Sequence, residues 1–459
     1  MAWIGTDEAG GGKPPLVSHT GVVLSRPTTF RFELGPTDEQ SQLFWMFAGA
    51  RRFAFNHHIG RVKANLEARQ AGKAAGKSGA ELTPSLSWSA VSFINSFNAW
   101  KNGTAPDSPV GEDGTRGLAW RGEVAADVFE CASVDAAQAL ANYKDSVSGA
   151  RAGIKVGFPD FKAKHRDTPR FRLRSKSAPG ETAPVRFVDP THLRLPKIGV
   201  VRVKGCPRTA RRMIAAGRFH VHSATVTHKA GRWYVALNGV AGQFHPQRRS
   251  HQGRHQAPVG ADRGVKTLLV AADADGQPFE QWEGVKALRR AEAQLKRANQ
   301  ALSRTKRGSA GRAKARARLA KLHARIARQR SHVVHQVSHD LATLCRVVCT
   351  ETLNVAGMTR NRSLAKAVAD AAMGQLGRRL GYKAAWYGAE LHLADRWYAS
   401  SKTCSACGHV KEPLDLSERT YHCEVCGLEL DRDTNAAINL ARWPDRQQHQ
   451  QSPPLTEAA

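Results

Sequence analysis

The stretch "RTYHCEVCGLELDRDTNAAINLA", residues 419–441, decides how this 459-residue chain is read. It holds a Cys pair, Cys423 and Cys426, then Asp431 and Asp433, then an Asn/Ala-rich run with helical character. Upstream, Cys404-Ser-Ala-Cys407 forms a second pair, fifteen residues away. Two CxxC pairs so separated match a zinc-ribbon template. Gly408 and Gly427 directly follow the pairs and let the backbone turn its N–H groups toward the sulfurs. Four thiolates make a closed tetrahedral Zn2+ site, which is structural because no position is left for substrate. Asp431 and Asp433 point to a second, harder metal, since carboxylates suit such cations. Cys131, Cys206, Cys345 and Cys349 lack ligand spacing and read as core thiols.

Working outward, two more acids stand out. Asp262 lies in "PVGADRGVKTLLV", read as early in a strand, and Glu351 ends the apolar run "CRVVCTETLNV". Asp433 opens the helix "TNAAINLAR", where simple capping is the plain alternative. A lone acid at a strand end is more often a turn residue. Three acids on two strands and a helix make the arrangement that two-metal phosphodiester hydrolysis uses.

The rest of the chain divides by pattern. Alternation around Phe30, Phe32 and Leu34 predicts a strand; Thr37 and Gln40 then fit a capping box. Residues 37–150 read as helical, broken at 102–118. "GFPDFKAKHRDTPRFRLRSK", residues 157–176, mixes Phe158, Phe161 and Phe171 with Lys and Arg; base stacking and core packing both stay open for these rings. "VRFVDPTHLRLPKIGVVRVKG" and "FHVHSATVTHKAGRWYVALNGV" predict an antiparallel β unit shared with the first strand. Residues 243–256 read as a linker, and "APVGADRGVKTLLVAADADGQ" as a hairpin turning at Ala274-Asp275-Gly276. Residues 286–330 hold sixteen Lys/Arg against one acid and read as a helical hairpin broken at Gly308 and Gly311.

Lys and Arg total 69 and Asp and Glu 39, a formal charge of +30. Such an excess predicts a large polyanionic partner. No apolar run reaches the ~18 residues of a spanning helix. The N-terminus lacks the layout of a secretory signal. The expectation is a cytoplasmic, nucleoid-associated protein whose thiols stay reduced, with no membrane partner.

"GADRG", "TETLNV", "SSKTCSACG…YHCEVCG" and "LDRDTNAAINLAR", in that order, resemble the TnpB family of transposon-encoded RNA-guided nucleases, relatives of compact type V CRISPR effectors. "FRFELGPTDEQ", "GFPDFKAK" and "LPKIGVVRVKG" extend the likeness to about residues 28–442. The resemblance implies a mixed α/β chain. A RuvC-like nuclease domain of RNase H fold would occupy 257–399 and 428–445, with an inserted zinc ribbon at 400–427. A helical recognition domain would occupy 37–176, and a wedge-like β unit 28–36 and 177–242. A flexible leader, 1–27, and tail, 446–459, would flank these. It further implies guide RNA and double-stranded target DNA as partners, and catalytic Mg2+ (two ions, with Mn2+ able to substitute) at Asp262, Glu351 and Asp433. Structural Zn2+ would sit at Cys404, Cys407, Cys423 and Cys426. The alternatives are a CRISPR effector using a crRNA and a guided DNA-binding regulator that does not cut.

Overall fold

A capping box starts the longest helix of the N-terminal half. Thr37 Oγ1 accepts the Gln40 backbone N–H and Gln40 Oε1 accepts that of Thr37, both at 3.2 Å, satisfying two groups that a helix start otherwise leaves open. Helix α1 then runs Asp38–Ala74. The computed structural model describes residues 16–17, 23–24, 26–175, 182–242, 255–412 and 418–445. The expected tail, residues 243–254 of the expected linker and most of the expected leader lie outside the described residues. The chain divides into two compact units, residues 1–242 and 243–459.

In the first unit, strands β1 (Arg26–Gly35), β2 (Arg170–Arg174), β3 (Arg186–Phe187), β4 (His192–Leu195), β5 (Gly199–Lys204), β6 (Phe219–Lys229) and β7 (Arg232–Ala241) form one antiparallel sheet. Its order is β2-β6-β7-β1-β5-β4-β3. The β6–β7 hairpin closes on Ala230 and Gly231, with φ of 52° and 78°, the backbone that a two-residue turn needs. The resemblance puts residues 170–174 in the helical domain; they are instead the edge strand β2. Phe171 and Leu173 alternate with arginines and both are buried, a strand's period rather than a helix's. Phe171 packs against Phe44 and Phe47 of α1, at ring distances of 5.7 and 5.2 Å, so it is core and not a base-stacking ring. Beyond the sheet, α1 buries Phe55, Ile59 and Val62 against α2 (Ala90–Asn102) and α3 (Ala126–Val147). Cys131, Cys345 and Cys349 are buried as expected, but Cys206 is exposed. It sits at the end of β5, just beyond the sheet that would have covered it.

The second unit is built on β8 (Val259–Asp262), β9 (Thr267–Asp273), β10 (Pro278–Glu283), β11 (Val347–Glu351) and β12 (Glu390–Ala394). The order is β10-β9-β8-β11-β12: an antiparallel meander, then two strands parallel to β8. A meander accounts for the short loops; the parallel strands need helical crossovers. Helices α4 (Glu292–Ser303) and α5 (Ala310–Leu344) make the basic hairpin and run on into β11, and α6 (Met373–Tyr387) leads to β12. Gly308, with φ of 85°, marks the α4–α5 break, whereas Gly311 lies inside the first turn of α5. Val334, Val337 and Leu341 of α5 and Leu376 and Leu380 of α6 cover Val259, Ala261 and Val348 on one face. The opposite face takes α7 (Arg432–Ala441), whose Ala437 and Ile438 pack on Val270 and Ala272. Among the described residues, no helix is long and apolar enough to cross a membrane.

Candidate active site

Side chains alternate along a strand, so Val259 and Ala261 of β8 face the core while Gly260 and Asp262 face α7. Gly260 sets how close α7 comes. A Cβ there would lie 1.8 Å from the Ala437 carbonyl oxygen and 2.5 Å from the Ala441 nitrogen. Asp262 is two residues along the same face, and Asp433 is one helical turn before Ala437. The two rises nearly match, about 6.6 Å on the strand and about 6 Å on the helix. Contact at Gly260 therefore carries Asp433 to Asp262. The Asp433 Oδ2 also lies 3.9 Å from where a Gly264 Cβ would sit. Asp262 is thus the last residue of β8, not an early one, and its position at the strand end is what brings it to the helix start.

Glu351 arrives from the neighbouring strand. Ala261 pairs with Thr350 in parallel register, so Glu351 ends β11 beside Asp262. Thr350 Oγ1 donates to the Ala261 carbonyl at 2.8 Å, fixing the two strand ends together. Arg263 donates to the Glu351 carbonyl, and Ser400 Oγ donates to Glu351 Oε1 at 3.3 Å. Burial, then the Glu351 and Asp433 charges, push the Asp262 carboxyl well above its ordinary range. Burial likewise raises Glu351, against the pull of Arg263. Crowded, desolvated carboxylates hold protons unless a cation joins them. Their all-oxygen donor set suits a hard divalent ion such as Mg2+.

Asp431 is not a fourth member of this group. It is the N-cap of α7, and its Oδ1 accepts the backbone N–H groups of Asp433 and Thr434, each at 3.0 Å. Asp433, in the first turn, has its Oδ2 near Gly264, just past the end of β8, and its Oδ1 3.6 Å from Arg432 Nε.

The cysteines behave differently. Cys404, Cys407, Cys423 and Cys426 are brought together so that all four sulfurs lie within 4.8 Å of one another. Cys404–Cys426 and Cys407–Cys423 are each 3.6 Å apart, close to the about 3.8 Å edge of a tetrahedron with ~2.3 Å Zn–S bonds. Gly408 and Gly427, with φ of 79° and 73°, donate their backbone N–H groups to the carbonyls of Cys404 and Cys423 at 3.0 Å. The Cys426 and Val425 backbone N–H groups hold the Cys423 thiol down to about 6, whereas burial and the neighbouring sulfurs raise Cys407 and Cys426. The four cysteines fit Zn2+. Among the described residues, no set of three acids closes to the same distance.

Residues that the sequence pattern did not single out tie the two centres together. The ribbon's return strand β14 (Glu429–Asp431), paired with β13 (Thr420–His422), runs straight into α7. Asn435 donates to the Thr403 carbonyl at 2.8 Å and accepts the Ser405 N–H at 2.9 Å. Asn439 donates to the carbonyls of Ser400 and Thr403 at 3.0 and 2.6 Å. Both asparagines are fully buried. Arg442 donates to the carbonyls of Ser405 and Ala274. A visible signal existed in "TNAAINLAR": Asn435 and Asn439 are four apart, hence on one helix face, where buried amides need partners.

Family models match three segments: "Helix-turn-helix domain" over residues 27–71, "Probable transposase" over 244–362 and "Cas12f1-like, TNB domain" over 374–440. A Mycobacterium tuberculosis protein named "Putative RNA-guided DNA endonuclease" is 33% identical over 425 residues, 91% of this chain and 86% of that protein. Escherichia coli InsQ, which carries the same descriptive name, is 24% identical over 441 residues, 91% of this chain and 92% of its own. A "TnpB-like protein" of Acanthamoeba polyphaga mimivirus is 44% identical over 63 residues, 14% of this chain and 11% of that protein. With a third of its residues shared across nine-tenths of its length, and its matched segments in the order of its strands and ribbon, this chain belongs to the TnpB family of transposon-encoded RNA-guided DNA endonucleases.

Proposed function

We propose that this chain cuts double-stranded DNA, selected by a guide RNA and flanked by a short duplex motif, by hydrolysis at Asp262, Glu351 and Asp433. One observation carries the catalytic part: acids from three distant segments meet at one end of the β8–β11 pair. A three-strand antiparallel meander followed by two strands parallel to its first supports the RuvC-like, RNase H reading of residues 257–399 and 428–445. When bound there, two Mg2+ ions (or Mn2+) would activate the attacking water and stabilise the leaving oxygen. Asp262 and Glu351 supply the donor oxygens from strand ends that Thr350 and Arg263 hold together. Asp433 supplies a third from a helix that Gly260 admits. The ribbon at 400–427 holds Zn2+ and steadies that helix through Asn435 and Asn439.

Nucleic acid is held by charge and shape. The hairpin at 286–330 and the basic segment 157–176 bind phosphates of guide and target, which fix register without reading sequence. Phe161 is 50% exposed and available for stacking; Phe158 packs partly against the helical core. The first unit divides into a helical recognition part and a wedge-like β part. The carbon copy of this chemistry in a CRISPR effector would differ in its guide, and an adjacent CRISPR array distinguishes the two.

The test is guided cleavage with the cognate RNA and Mg2+. Asp262→Ala should cut on the order of a thousand-fold more slowly, since losing one ligand disables the ions as a unit. Guided DNA binding should persist. Cutting by Asp262→Ala at the wild-type rate, or none by the wild type, would hand the assignment to a binding-only regulator.

A further inference from the structure

Between β12 and the ribbon the chain makes a short turn, residues 395–400, that is pinned at both ends beside Glu351. Ala394 is the register partner of Glu351, and its carbonyl accepts Thr352 Oγ1 at 2.8 Å. At the other end, Ser400 Oγ reaches Glu351 itself. Tyr398 turns inward: its ring lies 4.8 Å from Trp443 and its hydroxyl donates to the Asn439 carbonyl at 3.3 Å. Asp395 Oδ1 accepts the Trp397 backbone N–H at 2.8 Å. The turn is therefore held by Tyr398 and displays its neighbour. Trp397 is 82% exposed, more than any other aromatic ring among the exposed residues described.

Leaving an indole in water forfeits the largest apolar burial any side chain offers. Nothing in the turn's own packing demands it. One ring face is taken by Arg396, whose guanidinium carbon sits 5.2 Å from the centroid. A cation beside an open aromatic face is the pairing that single-stranded nucleic acid binders use: the cation meets phosphate and the ring takes a base. Trp397 is three residues from Ala394, so its Cα lies at most about 11 Å from that of Ala394, which is one strand spacing, about 5 Å, from Glu351.

We infer that Arg396 and Trp397 form a stacking platform that takes a base of the single DNA strand entering the acid site, so that Trp397 is a positioning residue for the cut strand. The inference rests on the nuclease reading for its purpose, but not for its measurement. Single-stranded DNA is the occupant favoured here because the platform is cationic, sits on a chain of net charge +30 and adjoins three acids read as a DNA-cutting centre.

The experiment compares two labelled strands of equal length on the RNA-loaded protein, oligodeoxythymidine and an abasic strand. Both carry the same phosphates, so the chain's general electrostatic attraction cancels in the ratio of their dissociation constants. The wild type should prefer the strand with bases. Trp397→Ala should reduce that preference about ten-fold, the effect of removing one stacked base, and Trp397→Phe should keep most of it. With cleavage-active protein, Trp397→Ala should raise KM for single-stranded DNA while kcat stays near wild type. An unchanged ratio in Trp397→Ala, or a loss equal for both strands, overturns the proposal. Wild-type protein that binds with the expected ratio but never cuts sinks the nuclease reading and leaves the platform standing.

Discussion

The ribbon and the acid site lie end to end in the second unit, and they meet their ligands in opposite ways. The four sulfurs close to within 4.8 Å without needing distant parts of the chain. Each CxxC turn is shaped by its own backbone and the following glycine, so most of the site is local. The three acids come from β8, β11 and α7, positions 262, 351 and 433. Nothing local joins them; the sheet register and one helix contact do. As a set of three they stay further apart than the thiols, although the Asp262 and Glu351 side chains share a hydrogen bond and burial raises both carboxyls. A site made of turns can be built by its metal, whereas a site made of strand ends must be built by the fold and then tuned by its metal.

That contrast orders the expected effects. Substituting an acid should abolish chemistry and spare the fold. Adding Glu351→Ala or Asp433→Ala to the Asp262→Ala variant should cost little more activity, since the ligands work as one set. A thermal melt should show the variant no less stable in metal-free buffer, because a buried carboxyl that burial pushes well above its ordinary range has been removed. Additive losses across the three would mean that the acids do not share a site.

Substituting a cysteine should do the reverse. Cys423→Ser should release zinc and loosen residues 400–427, since the binding energy of such a site is largely folding energy. Hydrogen exchange across the ribbon should rise, and cleavage should fall by roughly the ten- to hundred-fold typical of lost support around a metal. Guide binding should survive. Active protein containing no zinc by elemental analysis would defeat the structural role.

The same contrast explains what was legible in the sequence. The ribbon could be read residue by residue because spacing alone defines it. Asp262, Glu351 and Asp433 stand out only as a set, which the resemblance then reinforces, since each alone passes for a turn or cap residue. Composition suggests an early strand position for Asp262; its place at the strand's end is set by pairing with β9 and β11. Gly260 was invisible: its requirement comes from Ala437, far along the chain. So were the partners of Asn435 and Asn439, which lie 30 to 39 residues away. In the first unit, β2 was hidden by arginines alternating with Phe171 and Leu173, which lowered its apparent hydrophobicity without changing its period.

Asn435→Ala probes the seam between the two centres. It leaves the four cysteines and the three acids in place and removes the amide that grips Thr403 and Ser405. Buried groups that lose a partner cost about 1–3 kcal/mol each, so the ribbon should retain zinc but shift against α7. Cleavage should drop about ten-fold, less than for the cysteine variant, with zinc content unchanged. If zinc is lost as well, the asparagine serves the ribbon's own stability and not the coupling.

The smallest effect is expected at Asp431, and it separates capping from coordination. Asp431 accepts the backbone N–H of Asp433 itself, so the residue that starts the helix also fixes the residue that would hold the metal. Asp431→Ala should cost about 1 kcal/mol of stability, the usual value of an N-cap. It should lower cleavage only several-fold, because Gly260 still seats the body of α7 on β8. Asp431→Asn and Asp431→Ser retain an acceptor oxygen and should restore most of both. A carboxylate needed as a ligand would give another pattern: loss as deep as in Asp433→Ala, no rescue by serine, and a cleavage midpoint shifted to higher Mg2+ concentration that only glutamate brings back. Titrating cleavage against Mg2+ for the four variants distinguishes the two. Rescue by serine with an unchanged Mg2+ midpoint keeps Asp431 a cap, and leaves the catalytic set at Asp262, Glu351 and Asp433.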